Sequence, residues 1–349
     1  MKPGTPFFFI IGRPRSGTTL LRFLFEAHPN VLVPPECPVI LSLYKKYQKR
    51  KFWKANDIEE LVQDILKQRY FETWLITEDR LRERLMECQG ANDFWSILET
   101  LYLSYQSVFP KEDIRLIGDK NPAYSLYIKR IQQLYPGSKF IYINRDYRDN
   151  YLSLIRVNFE VPVVPLVVYR WKFAYRQFRK LQKQNPGRFY YLRYEDLVED
   201  AQEHFARLCS FLDIPYNEEV FDFHRKKQEL ESAYGNSDEL KYIHQSLLNP
   251  ISAKNIGSWK EKMTEKEIRK ADLVAGKAAE EAGYRRQVTS HNFWLAIKLF
   301  PLLSYARMMY ALMLWGEKLP YGIRNALLEL LSIFLKTYWW LNKKKFRKV

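Results

Sequence analysis

The stretch Phe7-Phe8-Phe9-Ile10-Ile11-Gly12-Arg13-Pro14-Arg15-Ser16-Gly17-Thr18-Thr19-Leu20-Leu21 limits the possible folds more than any other part of the chain. An apolar run of strand length enters a turn with two glycines, and an apolar-periodic helix begins at once. Gly12 and Gly17 allow a close backbone wrap, and N–H groups at a helix start aim at an anion. Glycines alone say little; strand, loop and helix in this order read as a phosphate loop. Ser16, Thr18 and Thr19 add hydroxyl donors, and Arg15 adds a guanidinium. In nucleoside-triphosphate loops a lysine follows the second glycine and reaches the β/γ-phosphates. Here Thr18 holds that position and the cation has moved into the loop as Arg15. Such a loop is poorly built for a triphosphate and well supplied for a shorter anion. The plainer alternative is a turn that only joins strand to helix.

Short apolar runs at Phe7–Ile11, Val31–Val33, Ile114–Ile117, Lys139–Ile143 and Phe189–Leu192 read as buried strands. Helical stretches lie near Thr18–Ala27, Ile58–Leu66, Arg80–Cys88, Phe94–Val108, Tyr124–Leu134, Val168–Gln184 and Ala201–Leu212. This alternation predicts an α/β fold, a mostly parallel sheet with helices on both faces. The region from about Ile40 to Pro110 is charged and strand-free, a helical insertion suited to contacting an acceptor. The division expected is a catalytic domain over 1–290 and a basic, amphipathic helical tail over 291–349.

A second strand-to-helix passage reads Lys139-Phe140-Ile141-Tyr142-Ile143-Asn144-Arg145-Asp146-Tyr147-Arg148-Asp149-Asn150-Tyr151-Leu152-Ser153. Together with Pro14–Thr19, it resembles the sulfotransferases that use 3′-phosphoadenosine 5′-phosphosulfate (PAPS). Their 5′-phosphosulfate loop reads P-[KR]-S-G-T-T. The text from Leu21 to Asn30 is similar to the branch of protein-tyrosine and Golgi carbohydrate sulfotransferases. The resemblance spans roughly Phe7 to Gly283 and implies the P-loop-like fold and PAPS as co-substrate.

By the same resemblance, Arg15, Ser16, Gly17, Thr18 and Thr19 hold the 5′-phosphosulfate, while Arg145 and Ser153 take the 3′-phosphate, a guanidinium and a hydroxyl on one dianion. Tyr194, in Tyr191-Leu192-Arg193-Tyr194-Glu195-Asp196-Leu197, matches the family's tyrosine near the adenine. Gly257-Ser258-Trp259-Lys260 resembles the G-x-W-K segment that closes over the 3′-phosphate. The R-K-G triplet of cytosolic members is replaced upstream by Ser252-Ala253-Lys254, which leaves Lys254 as the substitute cation.

Sulfuryl transfer needs in-line alignment, removal of the acceptor's proton and stabilisation of charge on the bridging oxygen, with no metal. Arg15 is placed for the last task. Glu36, 21 residues after Arg15, matches the spacing of the branch's catalytic glutamate, and partial desolvation there would raise its pKa. An N-cap or surface role is the alternative. Lys120, in Gly118-Asp119-Lys120-Asn121-Pro122, corresponds to a lysine aimed at the transferring sulfonate; an ion pair with Asp119 or a neighbour is the alternative. His28 reads as structural and Cys37 as a packed small residue. The acceptor class stays open among glycan, lipid and tyrosine. A P-loop kinase and a non-catalytic nucleotide-binding membrane protein are the competing functions.

Charge and cysteine count bound the setting. Three scattered cysteines exclude a disulfide framework. The net charge is +16, and the 59 residues from His291 hold ten Lys/Arg against Glu317 and Glu329. Concentrated beside Asn292–Trp315 and Ala326–Leu341, that charge suggests an anionic membrane surface, and no nucleic acid is expected. Pro301 and the charges are expected to interrupt the apolar runs before spanning length. Tyr338-Trp339-Trp340 followed by Lys343-Lys344-Lys345 resembles an interfacial anchor, with docking on the protein or in a homodimer as the alternative. The N-terminal apolar run is too short for a signal peptide, so the expected location is cytoplasmic, peripheral on a membrane.

Overall fold

The computed structural model describes residues 4–157, 159–226, 250–290 and 292–316, with Lys318, Leu319, Ile323 and Ala326. Five strands, β1 (Phe7–Gly12), β2 (Val31–Leu32), β3 (Leu116–Lys120), β4 (Lys139–Asn144) and β5 (Phe189–Arg193), pair in the order β2-β3-β1-β4-β5. Every pairing is parallel. Parallel neighbours need crossovers, and helices supply them, as the strand–helix alternation predicts. The chain starts at the centre of the sheet, fills one side and then the other. In such sheets a crevice opens at the carboxyl ends of the strands where the order reverses, here beside β1.

Alternation along β1 separates two environments. Phe8 and Ile10 join an aliphatic core with Leu21, Leu24 and Phe25 of α1 (Thr18–Ala27) and Phe205 and Leu208 of α10 (Ala201–Leu212). Phe9 belongs to an aromatic ladder. It stacks on Phe140 at 5.2 Å between centroids, and Phe140 stacks on Phe189 at 4.7 Å. These are register neighbours on β1, β4 and β5, so the strand spacing itself sets the ring separation. Each such buried side chain contributes about 1.5–3 kcal/mol.

Contacts divide the chain into two compact units: residues 1–145 with 177–256, and residues 146–176 with 257–349. The first holds the sheet, α1, α6 (Ile128–Leu134), α9 (Tyr194–Glu199), α10 and four further helices. Helices α2 (Val39–Tyr47), α3 (Ala55–Leu66), α4 (Glu78–Met86) and α5 (Phe94–Leu103) fill the expected insertion. Trp53 and Gly90 bridge across it, and buried Trp74 donates its indole N–H to the Pro35 carbonyl at 2.9 Å. The second unit holds α7 (Tyr147–Arg156), the first part of α8 (Val164–Gln184), α11 (Trp259–Lys262), α12 (Glu265–Ala275), α13 (Lys277–Glu281) and α14 (Phe293–Gly316). Buried Asp272 organises it, accepting from the Tyr147 hydroxyl and from the Gln287 and Val288 N–H groups at 2.8 Å each.

Several boundaries differ from the sequence expectation. β3 runs over Leu116–Lys120 rather than Ile114–Ile117, because its polar end finds buried partners. The helix expected to reach Val108 stops at Leu103, where the Ser104 hydroxyl donates to the Thr100 carbonyl at 2.7 Å. The helix expected over Tyr124–Leu134 is a 3₁₀ turn, Pro122–Leu126, followed by α6 (Ile128–Leu134). In the tail, α14 continues through Pro301 as a helix of 24 residues, long and apolar enough to cross a membrane. The expected interruption does not occur: Pro301 gives up one backbone bond in the third turn and the helix continues around it. Of the second expected tail helix, residues 327–341 lie outside the described residues, as do Tyr338–Trp340 and Lys343–Lys345.

Candidate active site

The loop between β1 and α1 is shaped by two close approaches. A Cβ at Gly12 would collide with the Ile143 carbonyl oxygen on β4. Gly17 has φ of +93°, and a Cβ there would lie 2.5 Å from the Tyr194 ring. Arg15 also adopts a left-handed φ of 66°, which L side chains rarely do. The Ser16 N–H donates to the Arg13 carbonyl at 3.2 Å, closing the turn, and α1 starts with Leu21 N–H to Gly17 carbonyl at 3.0 Å. Gly17, as N-cap, brings no side chain to the first-turn N–H groups, so their natural partner is an anion. Ser16 and Thr18 are buried, while Arg15 and Thr19 are half-buried.

Arg145 follows the carboxyl end of β4 and turns to this loop. Its guanidinium donates to the Asn255 carbonyl at 2.8 Å and to the Arg15 carbonyl at 3.4 Å. It also lies 4.8 Å from the centre of the Tyr194 ring. The first unit therefore brings together Arg15, Gly17, Arg145 and Tyr194, residues that sequence reading singled out from three separate motifs. Lys254 is exposed and next to Asn255, its backbone N–H donating to Ser252 Oγ at 3.3 Å. Asn255 was not foreseen; a residue recruited through its carbonyl leaves no side-chain signature.

Ser153 lies buried on α7 in the second unit. One turn before it, Asp149 accepts from the Gly257 N–H at 2.7 Å and the Trp259 N–H at 2.9 Å. That buried carboxylate ties the Gly257-Ser258-Trp259 segment to the helix carrying Ser153. Arg148 stacks its guanidinium 3.6 Å from the Trp259 ring centre and pairs with Asp146 through bonds of 2.9 and 2.7 Å. Asp149 is the positioning residue that sequence reasoning missed. Its signal was present: an acid one helical turn before a named serine.

On the other side of β1, the Lys120 ammonium at the end of β3 lies 2.9 Å from the Glu36 carboxylate. Lys120 is buried and the Glu36 side chain is one-third exposed, so its desolvation is incomplete. The loop presenting Glu36 is gripped from several directions. Buried Arg22 donates to the Val33 and Pro34 carbonyls at 2.9 and 3.1 Å, and Glu26 accepts from the Val33 N–H. The Trp74 indole holds Pro35. Lys120 pairs with Glu36 rather than Asp119. Asp119, its strand neighbour, instead accepts from the Tyr124 hydroxyl at 2.7 Å. Burial pushes its carboxyl up to about 7, against the opposing pull of that hydrogen bond and of Lys120.

His28 is fully engaged in structure. Its Nδ1 accepts from the Asn30 N–H at 3.1 Å, which leaves Nε2 to donate to the Pro215 carbonyl at 2.8 Å. Burial lowers its pKa. Cys37 is buried, and desolvation raises its thiol far above the reactive range.

Residues 6–218 match the model of the sulfotransferase family. A Drosophila melanogaster protein-tyrosine sulfotransferase is 28% identical over 224 residues, 62% of this chain and 39% of the relative. Protein-tyrosine sulfotransferase A of Caenorhabditis elegans is 24% identical over 284 residues, 78% of this chain and 65% of the relative. The chain thus spans less than two thirds of the length of either. Among solved structures, the sulfotransferase domain from the curacin biosynthetic pathway superposes with a TM-score of 0.55 at 22% identity, over 80% of this chain and 98% of that one. The sulfotransferase domain of the Synechococcus PCC 7002 olefin synthase gives 0.54 at 19%, over 79% and 96%. The fold is therefore shared with sulfotransferase domains, and the family match covers more than half of the sequence. By that match, with the tyrosine-sulfotransferase relatives beside it, the chain belongs to the sulfotransferase family and is a sulfonate-transferring enzyme.

Proposed function

We propose that the chain moves a sulfonate from PAPS to an acceptor hydroxyl by in-line displacement, with Glu36 as general base. The observation that carries this reading is the Glu36–Lys120 pair, 2.9 Å apart at the end of β3 and adjacent in the sheet to the loop strand β1. It supplies a proton acceptor and a cation at one point. The tight turn before α1, where either glycine's Cβ would strike Ile143 or Tyr194, sets the first-turn N–H groups of α1 as the holders of a phosphosulfate group.

The donor supplies sulfur already bonded to a good leaving group. Glu36 takes the acceptor's proton as the acceptor oxygen bonds to sulfur. Lys120 and Arg15 stabilise negative charge on the sulfonate and on the bridging oxygen, which keeps the electron pair of the broken sulfur–oxygen bond. Ser16, Thr18, Thr19 and the Gly17 turn hold the 5′-phosphate. Arg145 and Ser153 are assigned to the 3′-phosphate, Tyr194 to the adenine, and Lys254 to the same anion from the exposed segment. The relatives' names favour a phenolic acceptor such as tyrosine, and a sugar or lipid hydroxyl would use the same base.

The test has two arms. Adenosine 3′,5′-bisphosphate should raise the melting temperature well beyond adenosine 5′-monophosphate, and Arg145→Ala should erase most of the difference. Glu36→Gln should keep bisphosphate binding and lower turnover by roughly 10²–10⁴-fold, the usual worth of a general base. Equal shifts from both nucleotides would remove the 3′-phosphate assignment; a near-normal rate in Glu36→Gln would remove the base.

A further inference from the structure

Within the second unit, α14 is held by one narrow edge. Leu299 and Ala306 are its buried residues, and Tyr310 stacks on Phe173 at 4.7 Å and lies 5.9 Å from Tyr169, both on α8. Positions 299, 306 and 310 share one helix face. Trp294, Ile297, Tyr305, Met308, Leu312 and Trp315, spaced three, four or eight residues apart, lie along the opposite face. All are exposed among the described residues, Trp294 at 78% and Trp315 at 56%. A contiguous apolar face of this length, with an aromatic residue near each end, needs a partner.

The charge around it says which. The helix carries Lys298 and Arg307 and no acid, and the sequence from His291 onward is +8. Beside the first turn of α14 is a cavity of about 280 Å³, lined by Leu273, Val288 and Leu295 together with Arg269, Lys277 and Arg286. Arg269 and Arg286 pair there with Glu265 and Glu280, and Lys277 leaves the cavity's lining with one excess positive charge. Further along, Lys172 is lowered to about 8, first by burial and then by the repulsion of Arg176, Arg307 and Arg286. Greasy face and cations together match an anionic bilayer, with apolar side chains among acyl chains and cations at the headgroups.

We propose that α14 lies in the plane of an anionic membrane surface and docks the enzyme there. The helix is long enough to span, but its packed edge argues for the surface. A spanning α14 would carry Arg170, Lys172 and Arg176 of α8 toward the hydrocarbon along with Tyr169 and Phe173.

The full chain is mixed with vesicles of phosphatidylcholine alone or with 30% phosphatidylglycerol. Binding at least tenfold stronger to the anionic vesicles, falling as salt rises, is expected. Trp294→Glu with Leu312→Glu should lower it at least tenfold while leaving the bisphosphate-induced melting shift unchanged. The three native cysteines are buried, so a nitroxide on Met308→Cys reports a single site. In-plane binding places that label about 5–10 Å below the headgroups. A label at the bilayer centre, or equal binding to neutral vesicles, overturns the proposal. So does self-association abolished by the double variant without any vesicle binding, which would make a second copy the partner. So does vesicle binding that appears only after residues 327–349 are removed, which would make the chain's own end the cover. None of these outcomes bears on Glu36 or Arg145, so this proposal and the catalytic one fail separately.

Discussion

Helices α1 and α14 are both built mainly from apolar and aromatic residues, yet eight of the ten residues of α1 are buried and two of the 24 in α14. Composition does not explain the contrast. α1 follows β1 after a five-residue loop and lands on the sheet, where the Phe8 and Ile10 layer awaits it. It is covered even at Arg22 and Glu26, because the backbone of the Glu36 loop supplies their hydrogen bonds. α14 meets its own unit along one edge only. The same physical material serves as core in one place and as an outward-facing surface in the other, and the element it packs against decides which.

That contrast can be broken or sharpened by four measurements. Leu24→Ala in α1 removes a fully buried side chain and should destabilise the protein by about 2–5 kcal/mol in denaturant unfolding. A loss below about 1 kcal/mol would mean that α1 is not the packed reference it is taken for here. Gly17→Ala should come next, at roughly 1–3 kcal/mol from its left-handed backbone, with loss of bisphosphate stabilisation because the new methyl meets the Tyr194 ring. Retained ligand stabilisation would detach Tyr194 from the loop's shape.

The third concerns what burial does to charge. Asp119 in the packed region is raised to about 7, whereas in an unfolded chain an aspartate titrates near ~3.9. Between these values the native state holds the extra proton, so stability should fall as pH rises through that window, by at most about 1.4 kcal/mol per unit, and level off above it. Asp119→Asn should remove this slope, seen as a gain relative to the parent chain at pH 7.5 but not at pH 4. An unchanged difference at the two pH values would reassign the effect to another group. The smallest effect belongs to α14: Leu312→Ala, half exposed, should alter stability in plain buffer by no more than ~0.5 kcal/mol. A core-sized loss there would show that the face is covered in solution.

Where neighbours in sequence are also neighbours in space, the structure was legible beforehand. The bounds of α1 and α10 follow their apolar periodicity, and all five strands appear where hydrophobic runs suggested, β3 apart. β3 was misjudged because Gly118-Asp119-Lys120 looks like loop text. It is strand because Asp119 meets Tyr124 and Lys120 meets Glu36, partners that a local pattern cannot reveal. The site followed the same division. Arg15, Gly17, Arg145 and Tyr194 sit in recognisable motifs and converge. Asn255 acts through its main chain, and Asp149 through N–H groups 108 and 110 residues away, so neither announces itself.

The position of β1 at the centre of the sheet has a consequence for how the molecule is made. Its register partners are Ile117 to Lys120 on one side and Lys139 to Ile143 on the other, more than 100 residues downstream. Chains grow at about 5–20 residues per second, so the first strand leaves the ribosome roughly 5–20 s before either partner does. During that interval Phe-Phe-Phe-Ile-Ile is an unpaired, uncharged, β-prone segment, the kind that associates with its like. The strand that leads into the Gly12–Gly17 loop is therefore also a hazard during synthesis. Slow, non-local closure of the sheet makes its yield depend on whatever shields that segment until β3 and β4 arrive.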